Sequence, residues 1–206
     1  MTESDAAQMP DHTITVLLCG VGGQGTILAG DLLALAATAS GLDVKVSEIH
    51  GMAQRGGAVS TIVRFGSQVA SPVTDPGFAD RVVAFESTEA LRNLPFLAPE
   101  GHLLVNDNAV EPLPVLIGQA NMPADAHGEL QRLGATLIDA TGIAQAAGNP
   151  KGTNVVLMGA LSAVLPFSVE VWHDVIAQRV PPKTVEANIA SFDQGRAVAL
   201  DQITTR

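Results

Sequence analysis

The chain has 206 residues and a 47% hydrophobic share, enough for one sizeable core, so a single domain is expected. A net charge of −10 with eleven Lys and Arg argues against a nucleic-acid surface, which needs clustered bases for phosphate contacts. No apolar run approaches the roughly 18 residues of a membrane span, and the single cysteine, Cys19, excludes an internal disulfide and fits a reducing cytoplasm.

Residues 1–11 are polar and acidic, without the basic and apolar regions of a signal peptide. They are expected to be a flexible tail, leaving 12–206 as the domain. The 3% aromatic share implies a core of Ala, Val, Leu and Ile, as in sheets packed under helices. HTITVLLCG (12–20) reads as a buried strand, and 23–41 has helical spacing with Gly41 as its stop. LDVKVSEI (42–49) and AVSTIVRFG (58–66) read as the second and third strands, with GSQ as the turn after them. RVVAFE (81–86) and GHLLVND (101–107) are two buried strands around a helix and a Pro-rich connection. LPVLIG (113–118) and GATLIDA (134–140) are further strand candidates. From Asn154 the pattern gives three helices, the last led in by Pro181 and Pro182. This order predicts an α/β fold with a three-layer, mostly parallel Rossmann-like sheet and a helical C-terminal segment.

CGVGGQGT (19–26) follows the first strand and opens the first helix. Gly20, Gly22 and Gly25 match G-x-G-x-x-G, and Gly23 adds a fourth glycine. Glycines there permit a tight turn and let an anion approach amides at a helix N-terminus. A P-loop needs Lys-Ser/Thr after its last glycine, whereas Thr26-Ile27 follows here. A dinucleotide site needs an acid at the end of the second strand, for which Glu48 is the candidate. Alternatively the glycines serve close strand–helix packing. Residues 44–66 carry Lys45, Arg55 and Arg64 against Glu48, a small basic island in an acidic chain.

GVGGQG followed by SEIHGMAQRGGAVSTIVRFG (47–66) resembles the gamma-type chain of the 2-oxoacid:ferredoxin oxidoreductases. Within that family the likeness is greatest to the beta subunit of the indolepyruvate enzymes. GNPKGTNVVLMGALSAVLP (148–166) is similar to that chain's Asn-led GALS helix, and PPKTVEANIASFDQGR (181–196) to its closing Glu-Asn-Phe-Gly-Arg helix. The likeness runs from about His12 to Gln202.

The resemblance implies oxidative decarboxylation of a 2-oxoacid to an acyl-CoA, with thiamine diphosphate and its magnesium, iron–sulfur clusters and ferredoxin. It places the thiamine and cluster sites on a larger alpha-type partner, and this chain at the coenzyme A and substrate side and the subunit interface, inactive alone. The residues agree: one cysteine cannot supply the four thiolates of a [4Fe–4S] cluster, and no Gly-Asp-Gly segment is present. Carried over by position, coenzyme A contacts fall on Gly22, Gly23, Gln24, Gly25 and Thr26, then on Met52, Gln54, Arg55, Gly56 and Gly57. Arg55 offers a fork of donors to a phosphate. Pyruvate enzymes tend to have lysines in this second loop, where Ala53 and Gln54 precede Arg55 here. The loop therefore either touches coenzyme A more weakly or faces the partner's active site.

Histidine as a residue type suits proton transfer near neutrality, which makes His50 the catalytic candidate, and its competing role is to fix a loop or an interface. Cys19 reads as a buried small residue, Asn154 as a helix cap, and Glu186 and Asn188 as partner contacts or a solvated face. The histidines are too scattered for a local metal motif. Two other readings stand beside the family one. A free-standing NAD(P)-dependent oxidoreductase would use GVGGQG and Glu48, and a non-catalytic assembly module would use the glycine loops only for packing.

Overall fold

The computed structural model describes residues 12–50, 57–111, 113–119 and 121–204. Six strands form one sheet: β1 (Ile14–Val21), β2 (Asp43–His50), β3 (Ala58–Gly66), β4 (Ala79–Ala84), β5 (Leu97–Asn106) and β6 (Thr136–Ile138), in the order β2-β3-β1-β4-β5-β6. The pairings β1–β4, β4–β5 and β5–β6 are parallel. β3 runs antiparallel to both neighbours, because the chain turns back from β2 and inserts β3 between β2 and β1. The sheet is thus mostly parallel, with an antiparallel hairpin at one edge.

β1 is central, and its near-continuous apolar run buries both faces, as a strand covered on two sides requires. Val16 and Leu18 face one core with Val63, Phe65, Val83 and Leu104. Leu17 and Cys19 face the other with Ile62, Val82, Leu103 and Val105. The first face is covered by α1 (Thr26–Ala39), α5 (Ala140–Ala146), α6 (Thr153–Ser162), α7 (Val169–Arg179) and α8 (Val185–Thr204). On the second face lie α2 (Ser87–Asn93) and α4 (Ala126–Arg132), contributing Ala90 and Leu130.

Gly41 ends α1 as expected, at φ 83°, with Leu42 N–H donating to Ala37 O and Gly41 N–H to Thr38 O, the bond pair of a Schellman stop. The strand expected at 113–118 is instead the short helix α3 (Leu113–Leu116). Its proline sits at the second helical position, which tolerates a missing N–H, whereas a sheet interior does not. The strand expected at 134–140 is confined to 136–138: Gly134 turns at φ 73°, and Asp139 caps α5 by accepting from Gly142 N–H at 2.8 Å. α4, absent from the sequence reading, is capped the same way by Asp125 and Gly128 at 2.9 Å.

α6 and α8 cross through two glycines. A Cβ on Gly159 would fall 1.9 Å from Phe192 O, and one on Gly195 would fall 2.1 Å from Val156 O. The glycines of the GALS and FDQGR segments are therefore fixed by backbone contact between helices. Trp172, wholly buried, packs at 5.6 Å from Phe192 and 6.1 Å from Phe167 beside this crossing.

Candidate functional site

The glycine loop occupies 22–25, between β1 and α1. Gln24 closes it on itself: its Oε1 accepts from Val21 N–H at 2.8 Å, and its own N–H donates to Val21 O at 3.2 Å. Gly20 makes room for this staple, since a Cβ there would stand 2.5 Å from Gln24 Oε1 and 2.9 Å from Phe85 Cβ. Gly25 has φ 82°, and a Cβ on it would meet Asn154 Nδ2 at 2.7 Å. Gly23, at φ 103°, is exposed with nothing near its missing Cβ. The motif thus divides in two: Gly20 and Gly25 are packing glycines, and Gly23 stands at the exposed part of the turn. Thr26, buried, starts α1.

Gly22 N–H donates to Gly57 O at 2.9 Å. This bond joins the first glycine loop to the described end of the second. Met52, Gln54, Arg55 and Gly56 lie outside the described residues. His50 ends β2, exposed, opposite Val59, which in turn pairs with Gly20. Glu48 pairs with Thr61, and Thr61 with Leu18. With β3 between them, Glu48 stands two strand spacings from β1, about 9.5 Å. A ribose-binding acid belongs on the strand adjacent to β1, so the inserted β3 removes the geometric basis of the nicotinamide reading.

A cleft of about 450 Å³ opens at the carboxyl ends of β1, β4 and β5. The chain leaves β1 toward β2 on one side and later returns to β4 on the other, which makes this the switch point where open α/β sheets hold ligands. Gly23 and Gln24 line it from the glycine loop, Asn106 and Asn108 from the end of β5, and Lys151 and Thr153 from the start of α6. Asn106, 1% exposed, stitches its floor: it donates to Phe85 O at 3.1 Å and Thr141 Oγ1 at 3.3 Å, and accepts from Ala140 N–H at 3.0 Å. Among the described residues no carboxylate lines this cleft, and Lys151 is its only charged side chain.

The first turns of α1 and α6 meet beside the cleft. Asn154 Nδ2 donates to Gly25 O at 3.3 Å, while its Oδ1 accepts from Val155 N–H at 3.0 Å. Asn154, expected from sequence to cap its helix, instead sits at the second position of α6 behind Gly152 as N-cap, and its side chain ties the two helices. Each of these helices begins after a glycine, and neither is capped by a side chain across its first turn. Their partial positive ends therefore point toward a common region.

The sequence reading did not single out the turn 149–152 or the cleft-lining Lys151. A Pro-Lys-Gly run immediately ahead of a helix was the available signal. Asn188, for which a partner contact was one expectation, is 7% exposed and bonded internally: its Oδ1 accepts from Asn149 Nδ2 at 3.0 Å, and its Nδ2 donates to Thr184 O at 2.8 Å.

A second cleft, about 560 Å³, adjoins the first and shares Asn108 with it. Asp107, Glu111, Asp125 and His127 line it, with His127 Nδ1 2.8 Å from Asp107 Oδ1. Nearby, buried Glu86 accepts N–H bonds from Thr88, Glu89 and Val110 and so caps α2. Cys19 is fully buried, and burial first of all pushes its thiol well above the ordinary range. A protonated core thiol, the only one in the chain, does not fit the donor set of an iron–sulfur cluster. Among the described residues no helix is long and apolar enough to cross a membrane.

The sequence family described as pyruvate ferredoxin/flavodoxin oxidoreductase matches residues 15–198. The chain is 38% identical over 200 residues to indolepyruvate oxidoreductase subunit IorB of Thermococcus kodakarensis, covering 91% of this chain and 96% of that protein. It is similar in structure to the gamma subunit of a keto/oxoacid ferredoxin oxidoreductase from Geobacter sulfurreducens, with a TM-score of 0.69 and 26% identity over 91% of this chain and 99% of that one. It also shares the fold of part of a 2-oxoglutarate:ferredoxin oxidoreductase from Magnetococcus marinus, solved with 2-oxoglutarate, coenzyme A and succinyl-CoA bound. There the TM-score is 0.70 at 22% identity, over 92% of this chain and 31% of that one. The chain belongs to the pyruvate ferredoxin/flavodoxin oxidoreductase family, as a subunit of a 2-oxoacid:ferredoxin oxidoreductase.

Proposed function

We propose that this chain is the small, cytoplasmic subunit of an enzyme that oxidatively decarboxylates indolepyruvate or a related arylpyruvate. The reaction releases carbon dioxide, joins the acyl group to the thiol of coenzyme A and passes two electrons to ferredoxin. Thiamine diphosphate with magnesium on a larger partner chain supplies the carbanion chemistry, and clusters on that partner carry the electrons. The substrate follows the name of the curated relative, and coenzyme A follows the family resemblance.

The observation that carries this reading is the Gly22–Gly57 hydrogen bond. It holds the first glycine loop against Gly57, the described end of the second, beside the switch-point cleft that Gly23 and Gln24 line, and the backbone amides of such a loop suit phosphate oxygens. On this reading Gly22, Gly23, Gln24, Gly25 and Thr26 form the amide side of the coenzyme A site. Met52, Gln54, Arg55, Gly56 and Gly57 form its second side, with Arg55 paired to a phosphate. His50, at the exposed end of β2 leading into that second loop, is proposed to move a proton on the substrate side.

The test is to purify the tagged chain from native extract and assay the eluate. A brown complex with a larger chain, broad absorption near about 400 nm, bound thiamine diphosphate and coenzyme A-dependent oxidation of indolepyruvate are expected. A colourless, partnerless protein would overturn the proposal. Within the complex, Arg55→Ala is expected to raise the KM for coenzyme A about tenfold with assembly intact. Lost assembly with an unchanged KM would instead assign the loop to packing.

A further inference from the structure

We infer that Lys151 is an anion anchor of the switch-point cleft, taking an oxygen of a phosphate or carboxylate group on a bound ligand. The inference deepens the reading of this chain as the coenzyme A and substrate side of the enzyme, and it rests on that reading for the ligand's identity.

Charge is the first argument. The chain has 21 acids against 11 Lys and Arg, and the neighbouring cleft is lined by Asp107, Glu111 and Asp125, whereas neither cleft that Lys151 lines, the switch-point one or the groove beside Asn188, carries a carboxylate among the described residues. The one charge of the switch-point cleft is this lysine. Six ion pairs join described residues, and none uses Lys151. An ammonium with no ion pair among the described residues of an acidic protein, on the lining of a concave site rich in amides and hydroxyls, is arranged to meet an anion from outside the chain.

The second argument is the way the lysine is held. Lysine side chains are long and lose much freedom when fixed, so a binding lysine gains from a rigid base. Here the base is built from α8. Asn149 Nδ2 donates to Asn188 Oδ1 at 3.0 Å and to Ser191 Oγ at 3.2 Å, with both acceptor residues at least nine-tenths buried. Gly152 N–H closes the turn onto Asn149 O at 2.7 Å, and a Cβ on Gly152 would collide with Asn149 Nδ2 at 2.2 Å. Pro150 adds a fixed φ. Two buried polar side chains of a distant helix thus hold the turn that presents Lys151. The uncapped first turns of α1 and α6, tied by Asn154, add positive potential of the same sign.

Two ligand groups have this chemistry: a phosphate of coenzyme A and the carboxylate of the 2-oxoacid. The experiment uses the assembled complex carrying Lys151→Met or Lys151→Arg. It measures kcat and the KM for coenzyme A, 3′-dephospho-coenzyme A and indolepyruvate, and the Kd for coenzyme A and for indolepyruvate by calorimetry. Loss of a charge-assisted hydrogen bond is expected to raise one KM about tenfold in Lys151→Met, with kcat within about twofold and Lys151→Arg close to the parent.

A rise for coenzyme A but not its dephospho form assigns the 3′-phosphate, and a rise for both assigns the pyrophosphate. A rise for the 2-oxoacid alone assigns its carboxylate. Unchanged KM and Kd values, or lost assembly without a binding defect, overturn the anchor. A parental complex that does not turn over indolepyruvate fails the subunit reading separately. In that case calorimetric Kd values for coenzyme A and for indolepyruvate still decide Lys151: a rise of about tenfold for either supports it, and two unchanged values overturn it.

Discussion

The two clefts lie side by side at one edge of one sheet and share Asn108, yet they are opposite in charge. One is lined by amides, a hydroxyl-bearing turn and Lys151; the other by Asp107, Glu111, Asp125 and His127. The strands beneath are equally apolar, so the difference comes wholly from the connections that rise above them. A parallel sheet determines where a ligand can sit, and the loops after its strands determine which ligand it is. Here the glycine-rich and Pro-Lys-Gly connections make the anion-receptive half, while the acid-rich connection after β5 makes the other.

Substitutions that unmake one half and spare the other separate these contributions. The largest effect is expected from Gly195→Ala, which drives a methyl group into Val156 O and pushes α8 from α6. Overpacking of a backbone crossing should cost roughly 3 kcal/mol, lowering the thermal midpoint by about 6–12 °C. Because α8 holds the Lys151 turn, coenzyme A binding should weaken as well. A midpoint within a degree of the parent would show that the crossing relaxes freely.

Gly25→Ala comes next. It places a side chain at φ 82° against Asn154, with an expected loss of about 1–2 kcal/mol in chemical denaturation. Its KM for coenzyme A should rise with little change in the acidic cleft, read through the NMR chemical shifts of the His127 ring at fixed pH. An equal disturbance at His127 would mean that the two halves are mechanically one.

The smallest effect concerns Glu89 in α2, the helix whose first residue, Ser87, lines the acidic cleft. Burial, partly offset by Arg92 at 2.8 Å, raises its carboxyl above the ordinary 4.5. The native state then keeps that proton to higher pH than the unfolded chain. Its stabilising contribution is full below the ordinary value and fades as pH rises through the native one. Glu89→Gln should flatten the midpoint-against-pH curve just above that value. An unaltered curve would show that Arg92 and Asn93 already compensate the charge.

The α/β layering and the Gly41 stop were legible because each rests on local signals: a doubly buried apolar strand, or a glycine after a helical period. The strand proposed at 113–118 failed because a short apolar run has no period of its own, and its proline favours a first helical turn. α4 and α5 were missed although Asp125 and Asp139 are each followed three residues later by glycine. Site residues were legible only in part. No pattern in GVGGQG separates Gly20 and Gly25, fixed by Gln24, Phe85 and Asn154, from the exposed Gly23 or from Gly22, whose N–H is bonded to Gly57 O. The position of Glu48 depended on β3 inserting between β2 and β1, which is a matter of topology. Lys151 carries no motif of its own, and its setting is made by residues of α8 some 40 positions away.

The bond from Asn154 to Gly25 spans 129 positions. Closing so long a loop is entropically costly, and the cost is offset only once the intervening sheet exists. The placement of the glycine turn against α6 is accordingly a matter of tertiary assembly, added to the local bonds between Gln24 and Val21. A fragment comprising β1, the glycine loop and α1 would carry the whole motif and none of the site.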